Sequence, residues 1–210
     1  MKAVIITRPG GSEVLELEDR PLPEPRAGEI RVRVRASALN RADILQRQGN
    51  YPVPADAPAD IAGIEYAGEV DALGEGATLW KTGDRVMGIV GGGGHAEYVI
   101  VHEREAIRAP KGMSWEDAAA IPEAFLTAYD ALFARLNLRP GETLLIHAVG
   151  SGVGTAALQL AKNIDARVIG TARSTDKLSR ARALEGLTAV IVSLNKLYKG
   201  HAGIRITGLP

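Results

Sequence analysis

The residues in this chain best suited to chemistry are three glycines, Gly150, Gly152 and Gly154. They lie between an apolar run, Leu144 to Ile146, and a segment where Val153, Ala156, Ala157, Leu160 and Ala161 recur at helical spacing. The order reads as strand, tight turn, helix. The first N–H groups of a helix lack intrahelical acceptors, and together with the helix dipole they attract a phosphate or pyrophosphate. Glycines let such a group approach the backbone and let the helix pack close to the strand. A tight turn without any ligand has the same composition. Val149 and Ser151 stand where a G-x-G-x-x-G pattern has its first two glycines. The loop therefore reads as a variant dinucleotide site in which the Ser151 hydroxyl can donate to phosphate or ribose. No Gly-Lys-Ser/Thr follows, which argues against a P-loop and ATP hydrolysis.

The next strand, Ala166 to Ala172, carries the second clue. A site for NAD places Asp or Glu at this strand tip to hold the ribose 2′-hydroxyl. Here the tip continues as Arg173, Ser174, Thr175, and Asp176 comes only later. Arg173, Ser174 and Lys177 suit a 2′-phosphate, so the expected cofactor is NADPH. The same residues also read as a polar turn capping the next helix, with Ser174 or Thr175 as N-cap.

Composition removes several other classes of function. With no cysteine, the chain has no disulfide, thiolate nucleophile or cysteine-ligated zinc. Its 25 basic and 25 acidic residues balance, and no basic stripe supports nucleic-acid binding. No apolar run approaches a membrane span, and the start at Met1 to Thr7 lacks a signal-peptide pattern. A cytoplasmic location is the expectation.

The elements that must position these residues fall into two regimes. Strands are expected at Met1–Thr7, Glu29–Ala38, Tyr66–Leu73, Arg85–Val90 and His95–Val101. Helices are expected from Ser114, with Ser114 as N-cap and Asp117 three residues on, and from Pro122 to Leu136. The strand–turn–helix unit follows. The resulting expectation is an all-β module over 1–118 and an α/β module over 119–210. Gly91 to Gly94 precede a strand, not a helix, and read as a flexible loop between strands.

Six segments together resemble a known family. They are Ser-Ala-Leu-Asn-Arg-Ala-Asp at 37–43, Gly-Asn-Tyr-Pro at 49–52, Gly-Ile-Glu-Tyr-Ala-Gly at 63–68, Gly-Asp-Arg-Val at 83–86, Ala-Ile-Pro-Glu-Ala-Phe-Leu-Thr-Ala-Tyr at 120–129, and His-Ala-Val-Gly-Ser-Gly-Val-Gly at 147–154. In this order and spacing the chain resembles the zinc-free quinone oxidoreductases of the medium-chain dehydrogenase/reductase superfamily, relatives of zeta-crystallin. The resemblance implies a GroES-like β-barrel domain followed by a Rossmann domain, and NADPH-dependent reduction of a small-molecule quinone. It implies that Asn40 and Tyr51 line the quinone side and that Thr127 holds the nicotinamide carboxamide. Gly150, Ser151, Gly152, Val153 and Gly154 would hold the pyrophosphate. Each has a plainer role as well: Asn40 as a helix N-cap, Tyr51 as a turn residue before Pro52, Thr127 as a hydroxyl bonded to its own helix. Asp43 reads as support for the first turn of the Asn40 helix, His147 as a packing residue. Zinc members carry Gly-His-Glu where this chain has Gly63, Ile64 and Glu65. Ile64 cannot ligate a metal, so no metal site is expected, and Glu65 reads as structural.

The resemblance covers Met1 to about Gly186. Beyond it the tail 187–210 is atypical, although Ala189 to Val192 fits a third parallel strand and residues 203–206 resemble the family's terminal strand. The later Rossmann strands have no counterpart, which implies a partial Rossmann sheet with an open edge and self-association through it. An internal deletion, a frame shift or an alternative terminus would each account for the tail. Two alternatives to quinone reduction remain: a non-catalytic NADPH-binding or interaction module, and a reductase of activated alkenes.

Overall fold

The computed structural model describes residues 1–184 and the backbone of residues 187–192. The chain forms two compact units, the first spanning Met1–Glu123 and the second beginning at Ala124.

In the first unit, β1 (Lys2–Ile6) and β2 (Leu15–Asp19) form an antiparallel ribbon. β3 (Glu29–Ala36), β4 (Glu65–Leu73), β5 (Arg85–Ile89), β6 (Tyr98–His102) and β7 (Ile107–Arg108) form a five-stranded sheet in the order β6-β3-β4-β5-β7. The alternation in β3 explains its place. Ile30 and Val32 point into the core with Tyr66, Val70, Val86, Val99 and Val101, while Arg31 and Arg35 reach Asp71 and Glu69 on β4 at 2.7 and 2.6 Å. The resemblance implies a β-barrel; the described strands of this unit form an open sheet and a separate ribbon, linked by the single bridges Ala3–Ala96 and Ile5–Ile61.

Two helices position site residues here. α1 (Arg41–Arg47) begins after Asn40. α2 (Trp115–Ala119) is capped by Ser114, whose Oγ accepts from Asp117 N–H at 3.0 Å, as its sequence pattern predicts. The Arg85 guanidinium lies 3.6 Å from the Trp115 ring centre and donates to the Met113 carbonyl at 2.6 Å, fixing the entry to α2.

α3 (Pro122–Tyr129) starts with a proline, whose missing N–H is no loss in the first turn. It continues as a π-helical stretch, Asp130–Arg135, which periodicity alone does not reveal. In the second unit, β8 (Thr143–Ile146), β9 (Arg167–Ala172) and β10 (Leu187–Val192) form a parallel sheet in the order β10-β9-β8. The strand expected at Ala189–Val192 is thus present and slightly longer. The crossovers are α4 (Gly152–Lys162) and α5 (Thr175–Ala183), which bury Ala156, Ala157, Leu158, Ala161, Leu178 and Ala181 with Leu144, Ile146 and Val168. This order and parallel sense make a partial Rossmann sheet. Residues 203–206 lie outside the described residues.

Candidate functional site

The first candidate site is the turn between β8 and α4. A Cβ on Gly154 would lie 2.5 Å from the Ala148 carbonyl oxygen and 2.8 Å from Val149 Cα, so only glycine lets α4 sit this close to the strand end. A Cβ on Gly152 would meet nothing within 4 Å. Gly152 and Val153 are the first residues of α4, where N–H groups have no intrahelical acceptor. Ser151 is the N-cap: its Oγ accepts from Gly154 N–H at 3.1 Å. That bond engages the hydroxyl oxygen expected to face a phosphate, while the hydroxyl hydrogen stays available to donate.

The tip of β9 sits beside this turn because β8 and β9 are adjacent parallel strands. A Cβ on Gly150 would come 3.0 Å from Lys177 Cβ, which places Lys177 directly behind the glycine turn. Arg173, Ser174 and Lys177 are all exposed. Ser174 caps α5, with its Oγ accepting from Lys177 N–H at 3.4 Å. Asp176, the acid that follows this tip in sequence, pairs with Arg180 at 3.4 Å and is thereby engaged. Gly150, Thr155, Gln159, Lys177 and Arg180 are among the residues lining an open cleft of about 420 Å³ between α4 and α5. His147, expected to pack, is exposed and contacts Thr171 Oγ1 through Nδ1 at 3.2 Å. The open space at Gly152, the unused helix N–H groups and the basic tip fit a dinucleotide carrying a 2′-phosphate.

The second candidate site is a buried polar cluster in the first unit. Glu65, the first residue of β4, is only 2% exposed. Its Oε1 accepts from Asn40 Nδ2 at 2.6 Å and its Oε2 from Glu123 N–H at 2.8 Å. Its carbonyl accepts from Ser37 Oγ at 2.8 Å. Ser37 has one hydroxyl hydrogen and gives it to Glu65, so His95 Nδ1, 2.9 Å away, must donate to Ser37. His95 Nε2 then faces Asp43 Oδ2 at 3.6 Å, and neither Nε2 nor Asp43 Oδ1 has a hydrogen-bond partner among the described residues. Asp43 Oδ2 accepts from Asn40 N–H at 2.6 Å, the helix-start role its sequence position predicts. Burial, and then the Glu65 and Asp43 charges, raise the Glu123 carboxyl above its ordinary range.

Close backbone approach makes this cluster possible. Gly63 has φ +98°, and a Cβ there would lie 2.5 Å from His95 N. A Cβ on Gly94 would lie 2.6 Å from the Glu65 carbonyl oxygen. The run Gly91–Gly94, expected as a flexible loop, is instead packed. Gly92, Gly93 and Gly94 are buried, and Gln46 bridges the Gly91 carbonyl at 2.9 Å and Gly63 N–H at 3.2 Å. Sequence reasoning missed Ser37, His95, Gln46 and Glu123 as members of this cluster. The one signal that pointed to them is the density of glycines on both sides of Glu65. Tyr51 lies half-buried beyond α1 without a hydrogen bond among the described residues, and Thr127 is exposed on α3.

Residues 26–111 match the alcohol dehydrogenase GroES-like domain. A synaptic vesicle membrane protein VAT-1 homolog-like protein of Mus musculus is 40% identical over 173 residues, 82% of this chain and 41% of its own length. The quinone oxidoreductase of Pseudomonas aeruginosa is 42% identical over 174 residues, 82% of this chain and 53% of its own. The quinone oxidoreductase from Thermus thermophilus, solved also in complex with NADPH, superposes with a TM-score of 0.76 at 39% identity, over 90% of this chain and 59% of that one. Residues 26–111 thus belong to the alcohol dehydrogenase GroES-like family, and the chain as a whole resembles the zeta-crystallin-like quinone oxidoreductases of the medium-chain dehydrogenase/reductase superfamily. The CurK enoyl reductase structure is also similar, with a TM-score of 0.83 at 30% identity over 92% of this chain and 60% of that one. The chain thus spans about half the length of the curated relatives it matches. Ile64 is 3% exposed and offers no ligand atom, and no group of three metal-binding side chains occurs among the described residues. No helix among the described residues is long and apolar enough to cross a membrane.

Proposed function

We propose that this chain serves NADPH-dependent reduction of a quinone without zinc, in the cytoplasm. The observation that carries the reading is the β8–α4 turn, open at Gly152, beside a β9 tip that presents Arg173 and Lys177 while Asp176 is held by Arg180. When bound, NADPH supplies the hydride. Gly150, Ser151, Gly152, Val153 and Gly154 would surround the pyrophosphate, with the Gly152 and Val153 N–H groups and the Ser151 hydroxyl as donors, since Ser151 N–H is held by the Ala148 carbonyl and Gly154 N–H by Ser151 Oγ. Arg173 and Lys177 hold the 2′-phosphate, with the Ser174 hydroxyl beside them. Thr127 offers a hydroxyl to the carboxamide.

On the acceptor side, Asn40 donates an amide N–H to a quinone oxygen, stabilising the negative charge that develops there during reduction. The Tyr51 ring, half-buried and with its hydroxyl unengaged among the described residues, stacks on or donates to the quinone. A second reading, reduction of an activated alkene, is favoured by the likeness to an enoyl reductase, since the same donor can stabilise an enolate oxygen. The test is NADPH oxidation by the purified chain with a simple benzoquinone and with an α,β-unsaturated aldehyde. Faster turnover of the quinone is expected. Faster turnover of the aldehyde selects the second reading, and NADPH binding without turnover of either selects a non-catalytic binding module.

A further inference from the structure

Glu65 has a role that its fully buried position does not by itself explain. Burying a carboxylate is costly, and a well-packed apolar residue commonly replaces a buried ionic group without loss of stability. What this position demands is an acceptor at two separate points. The Asn40 side-chain NH₂ lies at one oxygen and the Glu123 backbone N–H at the other, at 2.6 and 2.8 Å. The Glu123 N–H belongs to the first turn of α3, where no intrahelical acceptor exists. A glutamine can accept at only one of these points and sets its own NH₂ against a donor at the other.

This arrangement also settles which way Asn40 faces. An amide can be flipped without changing its shape, but here the carboxylate admits only the nitrogen side. One Nδ2 hydrogen is held by Glu65. The second diverges from it, and its direction is fixed by the first. The Asn40 main chain is held independently by Asp43 at 2.6 Å, so side chain and backbone are located separately.

We infer that Glu65 is a positioning residue for the acceptor: it orients the Asn40 amide so that its second N–H points to the acceptor's carbonyl oxygen. The inference rests on the proposed placement of Asn40 on the acceptor side. It makes Asn40 the donor and Glu65 the residue that acts through it, without contacting substrate or cofactor.

The experiment uses Glu65→Gln alone and Glu65→Gln combined with Asn40→Asp. In the double variant the introduced glutamine amide can donate to the introduced aspartate and still accept from Glu123 N–H, so the buried pair is rebuilt with reversed polarity. Four quantities are read: the urea midpoint, the dissociation constant for benzoquinone, the dissociation constant for NADPH, and kcat against KM. Glu65→Gln is expected to lower the midpoint and weaken quinone binding about tenfold, the worth of one hydrogen bond, with NADPH binding unchanged. The double variant is expected to recover the midpoint and leave quinone binding and kcat low, because a carboxylate cannot donate. Recovery of quinone binding together with the midpoint overturns the inference, as does unchanged quinone binding in Glu65→Gln. Absence of quinone binding by the unmutated chain overturns it as well. If the unmutated chain binds quinone and does not reduce it, the proposed activity fails, while the quinone dissociation constants still decide the role of Glu65.

Discussion

Replacing Gly152 and Gly154 by alanine, one at a time, separates two uses of glycine that sequence alone merges. At Gly154 the new Cβ would lie 2.5 Å from the Ala148 oxygen, and 2.8 and 2.9 Å from Val149 Cα and C. All three are backbone atoms, so relief requires moving the first turn of α4 away from the end of β8. Overpacking of this kind costs about 1–3 kcal/mol, and the helix preference of alanine returns up to about 1 kcal/mol. The expected net loss is roughly 1–2 kcal/mol. At Gly152 no atom lies within 4 Å of the new Cβ, so stability should hold or rise by up to about 1 kcal/mol. That Cβ nonetheless stands in the open approach to the first N–H groups of α4. Losing one charge-assisted bond to a phosphate weakens NADPH by about 1.5–3 kcal/mol. Hydrogen exchange over α4 reads the stability change, and calorimetric titration reads the affinity. A Gly152→Ala chain that binds NADPH as tightly as the unmutated chain would refute the assignment of this turn to the pyrophosphate.

Two further outcomes follow from the same geometry. Arg173→Ala with Lys177→Ala should remove most of the preference for NADPH over NADH, expected at about 1–3 kcal/mol; equal affinities in the unmutated chain, by calorimetry, would exclude 2′-phosphate recognition. Because the folded-state pKa of Glu123 is raised, the folded chain binds more protons than the unfolded chain above the ordinary value of 4.5. Its contribution to stability is therefore intact below that value and lost as pH rises through the raised one. Glu123→Gln should flatten this fall and gain stability at neutral relative to acidic pH, and an unchanged pH profile of the urea midpoint would contradict it.

Much of the fold was legible because its signals are local. The β3 alternation, the Ser114 cap, Pro122 at the start of α3 and the strand–turn–helix at 144–161 each depend on residues a few positions apart. Elements supported by tertiary context were not legible: the ribbon strand β2, with Leu17 left exposed, and the π-helical stretch after Tyr129. The dinucleotide residues form one continuous neighbourhood in sequence and could be proposed together. The polar cluster could not. Its members Ser37, Glu65, His95 and Glu123 are tens of residues apart, and each alone has an ordinary reading. The sequence offers two roles for Asn40, an N-cap and an acceptor-side residue. It starts α1 while its side chain goes to Glu65, so the two readings do not compete for the same atoms.

The two glycine-rich segments show what composition leaves undecided. Gly91–Gly94 and the turn around Gly150–Gly154 are both rich in glycine, and either could be taken for a phosphate cradle. In the first, glycine brings chain onto chain: added Cβ atoms would lie 2.5 Å from the Pro58 oxygen at Gly92 and 2.6 Å from the Glu65 oxygen at Gly94. Its amides are spent inside the unit, with Gly93 N–H on the Ile61 carbonyl and Gly94 N–H on the Gly63 carbonyl, at 2.9 and 3.0 Å. In the second, Gly154 brings a helix onto a strand end, while Gly152 leaves space in front of N–H groups that a helix cannot use. What differs is where the amides go: the facing backbone at Ile61 and Gly63 takes up those of the first segment, whereas a helix start leaves its first amides pointing outward. The same property that makes one segment a packing device, close backbone approach, makes the other a binding device once its donors are left over.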